Sequence, residues 1–355
     1  MNILSRFTAL TIFATLLLIN PAIDARSIDC ETQLQYRSSL GCNANSCPSV
    51  FAPTVCPVTT GFINCPVDDL PGGVNIFYRR VGTCAPGQPT IFFIHGISSS
   101  SDVWACQQQL LCSQYCTVAI DLVGHGQSSK PEFAGAYTLE SISNNVICVL
   151  DALGITNPII VGWSLGATIA LNLIVNNSAD VNVSKLVLVG ATSAPLPPAP
   201  PAGPNPFGAT PAAATVIGND ILGNPNLSNF STNWNALVVN ETCAGITALR
   251  DEFEATTEQA SLFALQQIFS IPPADLDFTA DLPTITVPTL ILHGSSDAIF
   301  EFPASAGLKA IPDSYLVEFN GKGHAPQATD FWRFNQTLNS FVSGNDLLCA
   351  LCNIL

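Results

Sequence analysis

The stretch that decides the fold runs Pro158-Ile159-Ile160-Val161-Gly162-Trp163-Ser164-Leu165-Gly166-Ala167-Thr168-Ile169-Ala170-Leu171. Its first part, Pro158–Val161, is a short apolar, β-branched run and reads as a buried strand. Its last part opens Ser164–Val175, a segment with the composition of a helix. Between them lies G-x-S-x-G. A serine at a sharp strand-to-helix turn needs glycines on both sides, because a Cβ there would strike the turn or the neighbouring element. The pentapeptide alone occurs by chance in many chains. The strand before it and the helix after it make it specific.

The same alternation extends in both directions. Strands are predicted at Val74–Val81, Thr90–Ile94, Thr117–Leu122, Lys185–Val189, Thr289–His293 and Tyr315–Phe319. Helices are predicted at Asp102–Leu111, Leu139–Leu153 with Thr138 as N-cap, and Phe331–Phe341. Near-continuous apolar strands separated by helices indicate a doubly wound, mostly parallel sheet covered on both faces. Residues 192–283 interrupt the pattern. They open with a Pro-rich linker, Pro195 to Pro206, and continue through predicted helices at Asn233–Val239, Ile246–Ala255 and Gln259–Phe269. A gap this long between consecutive strands is an inserted helical subdomain rather than a loop.

The chain has 355 residues, enough for a sizeable core. It is 48% hydrophobic and 10% charged, against a usual charged share of roughly a quarter. Residues 1–25 read as a signal peptide: Arg6 is the positive n-region, Phe7–Ile19 the apolar core, and Ala22 or Ala25 a small residue for cleavage. Beyond it no apolar run approaches the ~20 residues of a membrane span. Thirteen cysteines follow, a count that suits an oxidising compartment. Five lie between Cys30 and Cys65, so residues 26–70 read as a disulfide-stapled extension of unassigned partner. The connectivity stays open, and the odd count leaves at least one thiol over. No histidine lies near the N-terminal cysteines, which argues against zinc. The main domain is expected over 71–345, with a tail at 346–355. Sequons occur at Asn176, Asn182, Asn226, Asn229, Asn240 and Asn335. A net charge of −15, with eleven basic residues and no basic cluster, excludes nucleic-acid binding.

A serine hydroxyl becomes a nucleophile only when a base takes its proton, and the base needs an orienting acid. The order expected in this architecture is Ser, acid, His. Of four histidines, His95, His125 and His293 precede or end strands and read as turn or core residues. Only His324 follows the last strand, in the Gly-rich run Asn320-Gly321-Lys322-Gly323-His324. Asp297 follows the strand before that and is placed to orient His324, with Glu301 as a fallback. Asp275 and Asp281 lie on the wrong side of the sheet. The oxyanion requires two N–H donors. These are assigned to Leu165, at the start of the helix, and Ile97, in the loop His95-Gly96-Ile97-Ser98.

The chain resembles the α/β-hydrolase fold-1 superfamily. The resemblance rests on His95-Gly96, Asp121-Leu122-Val123-Gly124-His125-Gly126-Gln127-Ser128, the 162–166 motif, Pro288–Gly294 with Asp297, and Gly323-His324, in the family's order. It covers about Val74 to Val342. It implies that the insertion is a cap and that the enzyme needs neither cofactor nor metal. Serine at 164 disfavours the branches with an aspartate nucleophile, the epoxide hydrolases and dehalogenases. The chain departs from the family after Gly96, where Ser98–Ser101 replace a proline-containing loop, and in its Cys-rich extension.

The reaction expected is hydrolysis of a carboxylic ester, small or lipid, through an acyl-enzyme on Ser164. Perhydrolysis, carbon–carbon bond hydrolysis and a non-catalytic binding role are the alternatives. Phe207, Phe230, Trp234, Phe253, Phe263 and Phe269, with Ile246 and Leu262, supply the cap's apolar surface, as its own core more often than as pocket lining.

Overall fold

The computed structural model describes residues 56–85, 87–193, 209–243 and 245–344. The signal peptide, the extension up to residue 55, most of the Pro-rich linker, Phe207 and the tail lie outside the described residues.

Eight strands form one sheet: β1 Val58–Cys65, β2 Val74–Val81, β3 Thr90–Ile94, β4 Cys116–Ile120, β5 Ile159–Trp163, β6 Lys185–Val189, β7 Thr289–Gly294 and β8 Ser314–Phe319. Their order is β1-β2-β4-β3-β5-β6-β7-β8. β1 and β2 run antiparallel to their neighbours, and β4 through β8 are parallel. The helices are α1 Ala105–Leu111, α2 Leu139–Ala152, α3 Leu165–Val175, α4 Pro211–Ile217, α5 Leu227–Val238, α6 Ile246–Thr257, α7 Leu262–Phe269, α8 Phe302–Ala306, α9 Pro326–Thr329 and α10 Phe331–Ser343. Successive side chains of a strand point to opposite faces. Ile91, Phe92, Phe93 and Ile94 in β3 are all buried, so both faces of the sheet are covered there, as the run of apolar residues requires. Phe93, Trp104, Phe334 and Phe319 make a chain of ring contacts on one side. Thr138 caps α2, its hydroxyl accepting from the Ser141 amide at 3.1 Å.

The structure adds elements to the sequence expectation, among them the short helices α8 and α9, an edge strand and a fourth helix in the insertion. The domain begins earlier than residue 71, because Val58–Cys65 pairs along its whole length with β2. This strand escapes periodicity because it lies at the sheet edge with most residues exposed. Gly61 also breaks its pattern, for a Cβ there would meet the Tyr78 ring at 2.9 Å. The insertion also holds a fourth helix, α4, continuing as a π-helical turn over Gly218–Gly223. Its signal was Thr210-Pro211: the threonine caps the helix and proline takes the first turn.

Disulfides fasten the N-terminal edge to the main domain. Cys56 pairs with Cys112, Cys65 with Cys148 and Cys84 with Cys116, and Cys243 is also disulfide-bonded. The Cys65–Cys148 bridge ties β1 to α2 across 83 residues of sequence. In the chain-entropy account a loop of that size stabilises by roughly 4 kcal/mol. Cys65→Ala with Cys148→Ala is therefore expected to lower the melting temperature by several degrees. An unchanged melting curve would show that β1 docks without its bridge. Among the described residues no helix is long and apolar enough to cross a membrane.

Candidate active site

Ser164 sits between β5 and α3 with φ 55° and ψ −118°, a region non-glycine residues rarely occupy. Such strain persists only where the surroundings enforce it. Here the Ser164 amide donates to the Val189 carbonyl of β6 at 2.9 Å, while the Ser164 carbonyl accepts from Ala167 at 2.9 Å. The flanking glycines leave no alternative. A Cβ on Gly162 would lie 2.3 Å from the Gly166 carbonyl oxygen, and one on Gly166 would lie 2.3 Å from that of Ile94.

Asp297 and His324 follow β7 and β8, at the same carboxyl edge of the sheet. His324 Nδ1 lies 2.8 Å from Asp297 Oδ2, and both residues are buried. Burial would push the Asp297 carboxyl up, but the charge of His324 and the hydrogen bonds from His293 and His324 outweigh it and hold the carboxyl below the ordinary carboxylate range. Its other oxygen accepts from the amides of Ile299 at 2.8 Å and Phe300 at 3.0 Å. Four donors thus fix the carboxylate plane.

The Trp163 indole donates to the His324 carbonyl at 2.8 Å, and its ring lies 5.6 Å from the imidazole. The residue before the serine therefore holds the histidine. His324 Nε2 is buried and has no hydrogen-bond partner among the described residues. The bond from Ser164 to His324 is accordingly not formed in this state. Such bonds are often long in unliganded sites and tighten with substrate.

Of the assigned oxyanion donors, Leu165 opens α3, so its N–H has no partner within the helix. Ile97 N–H makes no backbone hydrogen bond among the described residues. The loop carrying Ile97 is shaped by hydrogen bonds with side chains. Ser98 stands at φ 58°. Its amide donates to His125 Nε2 at 3.1 Å. The Thr257 hydroxyl, from α6, lies 3.0 Å from its carbonyl. Gly96 lets this loop approach the elbow, since a Cβ there would meet Trp163 and Ser164 at 3.0 and 3.1 Å.

His95 and His125 act as tethers. Nε2 of His95 accepts from the Leu122 amide at 2.9 Å. Burial is the main cause that lowers His95 to about 4 and His125 to about 3, so both stay neutral acceptors at neutral pH.

Sequence reasoning missed two participants. His293, read as a core residue, places Nε2 3.1 Å from Asp297 Oδ2 and 3.1 Å from the Phe300 carbonyl, so the acid serves two imidazoles. Gly190, after β6, has φ 52°, and a Cβ there would press on His324 at 3.0 Å. Neither carries a signal by which sequence alone could find it, because both act through contacts with distant segments. Glu301, the fallback acid, is exposed. Among the described residues no group of three or more His, Cys, Asp or Glu is arranged to hold a metal.

The cap aromatics divide. Phe230 and Trp234 stack at 5.3 Å and both meet Phe269, so they are the cap's own core. Phe263 packs on Tyr137. Among the described cap aromatics Phe253 reaches the elbow, 6.0 Å from Trp163.

Residues 89–218 match the family described as the alpha/beta hydrolase fold. A Bacillus subtilis AB hydrolase superfamily protein, YisY, is 27% identical over 272 residues, covering 76% of this chain and 94% of that protein. An esterase (EaEST) from Exiguobacterium antarcticum superposes with a TM-score of 0.67 at 26% identity, covering 79% of this chain and 98% of the other. A bromoperoxidase from Bacillus anthracis superposes with a TM-score of 0.68 at 23% identity, over 80% and 100%, a likeness of fold.

Proposed function

We propose that this chain, which belongs to the α/β-hydrolase superfamily, is a serine hydrolase that cleaves carboxylic esters. The observation that carries the proposal is the serine at φ 55° between strand and helix, beside a buried His324–Asp297 pair. In this reading Ser164 attacks the carbonyl carbon while His324 Nε2 takes its proton. Asp297 keeps the imidazole in the tautomer that leaves Nε2 free to accept. The N–H groups of Leu165 and Ile97 hold the oxyanion. His324 returns the proton to the leaving alcohol. It then activates water, which releases the acid.

The rings nearest these residues are apolar: Phe253 against Trp163, and Phe300 5.5 Å from His324. They favour an apolar acyl or alcohol group. Export to an oxidising compartment accords with the disulfides. Asn176, Asn182, Asn226 and Asn229 are exposed acceptors for glycans, whereas Asn335 is buried.

Labelling of the mature protein with a fluorophosphonate, beside Ser164→Ala, tests the proposal. The expected result is stoichiometric labelling of the wild type and none of the variant. No labelling of correctly folded wild type would sink the enzyme reading and favour a hydrolase-like binding protein.

A further inference from the structure

The cap touches the loops that carry the proposed triad through a short strap, the connection from α5 to α6. Asn240 Nδ2 donates to the Ser296 carbonyl at 2.7 Å, one residue before Asp297. Glu241 Oε1 accepts from the Gly323 amide at 2.9 Å, one residue before His324. Gly323 is bare so that the strap can approach, since a Cβ there would lie 2.3 Å from Asn240 Oδ1. The strap is in turn held from α6. Arg250 Nε donates to the Val239 carbonyl at 2.6 Å and its Nη2 to the Glu241 carbonyl at 3.2 Å.

Glu241 is 8% exposed, and its second carboxyl oxygen, Oε2, is buried without a hydrogen-bond partner among the described residues. Asn240 Oδ1 is in the same condition. Leaving acceptors desolvated and unbonded costs free energy, and a strap serving only to pack the cap gains nothing by it. Sites where a fold tolerates such a cost are often functional.

We infer that Glu241 is a positioning residue for His324, and that the Asn240-Glu241 strap makes the cap a brace on the acid and histidine loops. The inference rests on the hydrolase reading. With Glu241 removed, the Gly323 amide loses its acceptor and the His324 loop relaxes. A displacement of about 1 Å in a catalytic group can cost up to ~100-fold in rate. Affinity for substrate would change little, because the strap's bonds go to the loop backbones.

The test compares wild type, Glu241→Ala, Glu241→Gln, Asn240→Ala and Ser164→Ala, made without glycans in a disulfide-forming host. The readouts are the phosphonylation rate constant, kcat and KM on an ester that the wild type cleaves, active-site titration and melting. We expect Glu241→Ala to phosphonylate and turn over at least about tenfold more slowly, with KM within about threefold. Glu241→Gln should recover most of the rate, because its amide oxygen accepts the same N–H. Asn240→Ala should lose rate less, and it carries the comparison if the alanine variant of Glu241 fails to fold. Wild-type rates per titrated site in the folded alanine variants, with or without lower melting, would overturn the inference and leave the strap purely structural. A rise in KM alone would overturn it in favour of substrate binding. A wild type that takes no label would remove the hydrolase reading, and the brace with it.

Discussion

Asp297→Asn is expected to lower kcat roughly 10⁴-fold while the protein stays folded. The carboxylate has two separate audiences. Oδ1 accepts from the Ile299 and Phe300 amides, and Oδ2 faces His324 Nδ1 and His293 Nε2. Asparagine has one oxygen and cannot serve both. If its oxygen stays on the two amides, its NH₂ faces the imidazoles. His324 must then accept at Nδ1 and carry its proton on Nε2, the wrong tautomer for taking a proton from Ser164. The reverse flip sets NH₂ against two amide N–H groups and leaves those donors buried and unbonded, at about 1–3 kcal/mol each. The first arrangement therefore wins, and with it a folded but nearly inactive protein. Steady-state kinetics beside a melting curve checks this. A variant within tenfold of wild type would move the orienting role elsewhere, with Glu301 next in sequence.

Gly162→Ala is expected to abolish folding or to cost at least about 3 kcal/mol, the upper range for forcing extra atoms into a packed site. The added Cβ would stand 2.3 Å from Gly166 O, 2.5 Å from Gly166 C and 2.7 Å from Ala167 Cα. All three are backbone atoms of the helix that the serine begins, so no side chain can swing aside. Gly218→Ala is the control, because a Cβ there meets nothing within 4 Å and needs no unusual φ. It should change stability by less than about 1 kcal/mol. Soluble yield and melting of the two variants decide the matter. A Gly162→Ala protein that melts like wild type would mean that the turn can open without loss.

The central strands and the two helices flanking the motif were legible because their signal is local. Thr90–Ile94 and Lys185–Val189 match strands β3 and β6 to the residue. A strand buried on both faces must be apolar throughout, and a helix that starts on a serine turn must have its glycines in place. The placement of Ser164, Asp297 and His324 at one edge of the sheet was legible for the same reason, since each follows a recognisable strand or its loop. β1 was hidden because an edge strand with an exposed face is not obliged to be apolar. The start of α5 was blurred because Asn229, Thr232 and Asn233 lie inside it, and such residues favour turns and caps over helix interiors.

Burial and backbone strain restrict which amino acids a doubly wound sheet, a tight strand-to-helix turn and the carboxyl edge accept, so these features can be read along the chain. The cysteine pairing, the sharing of Asp297 between His324 and His293, and the reach of Asn240 and Glu241 to the loops of Asp297 and His324 emerge only on folding. Those are bonds between segments far apart in the chain. Their strength depends on distance and angle after folding, and an Asn or Glu in a cap loop looks the same in sequence whether it faces water or a buried amide.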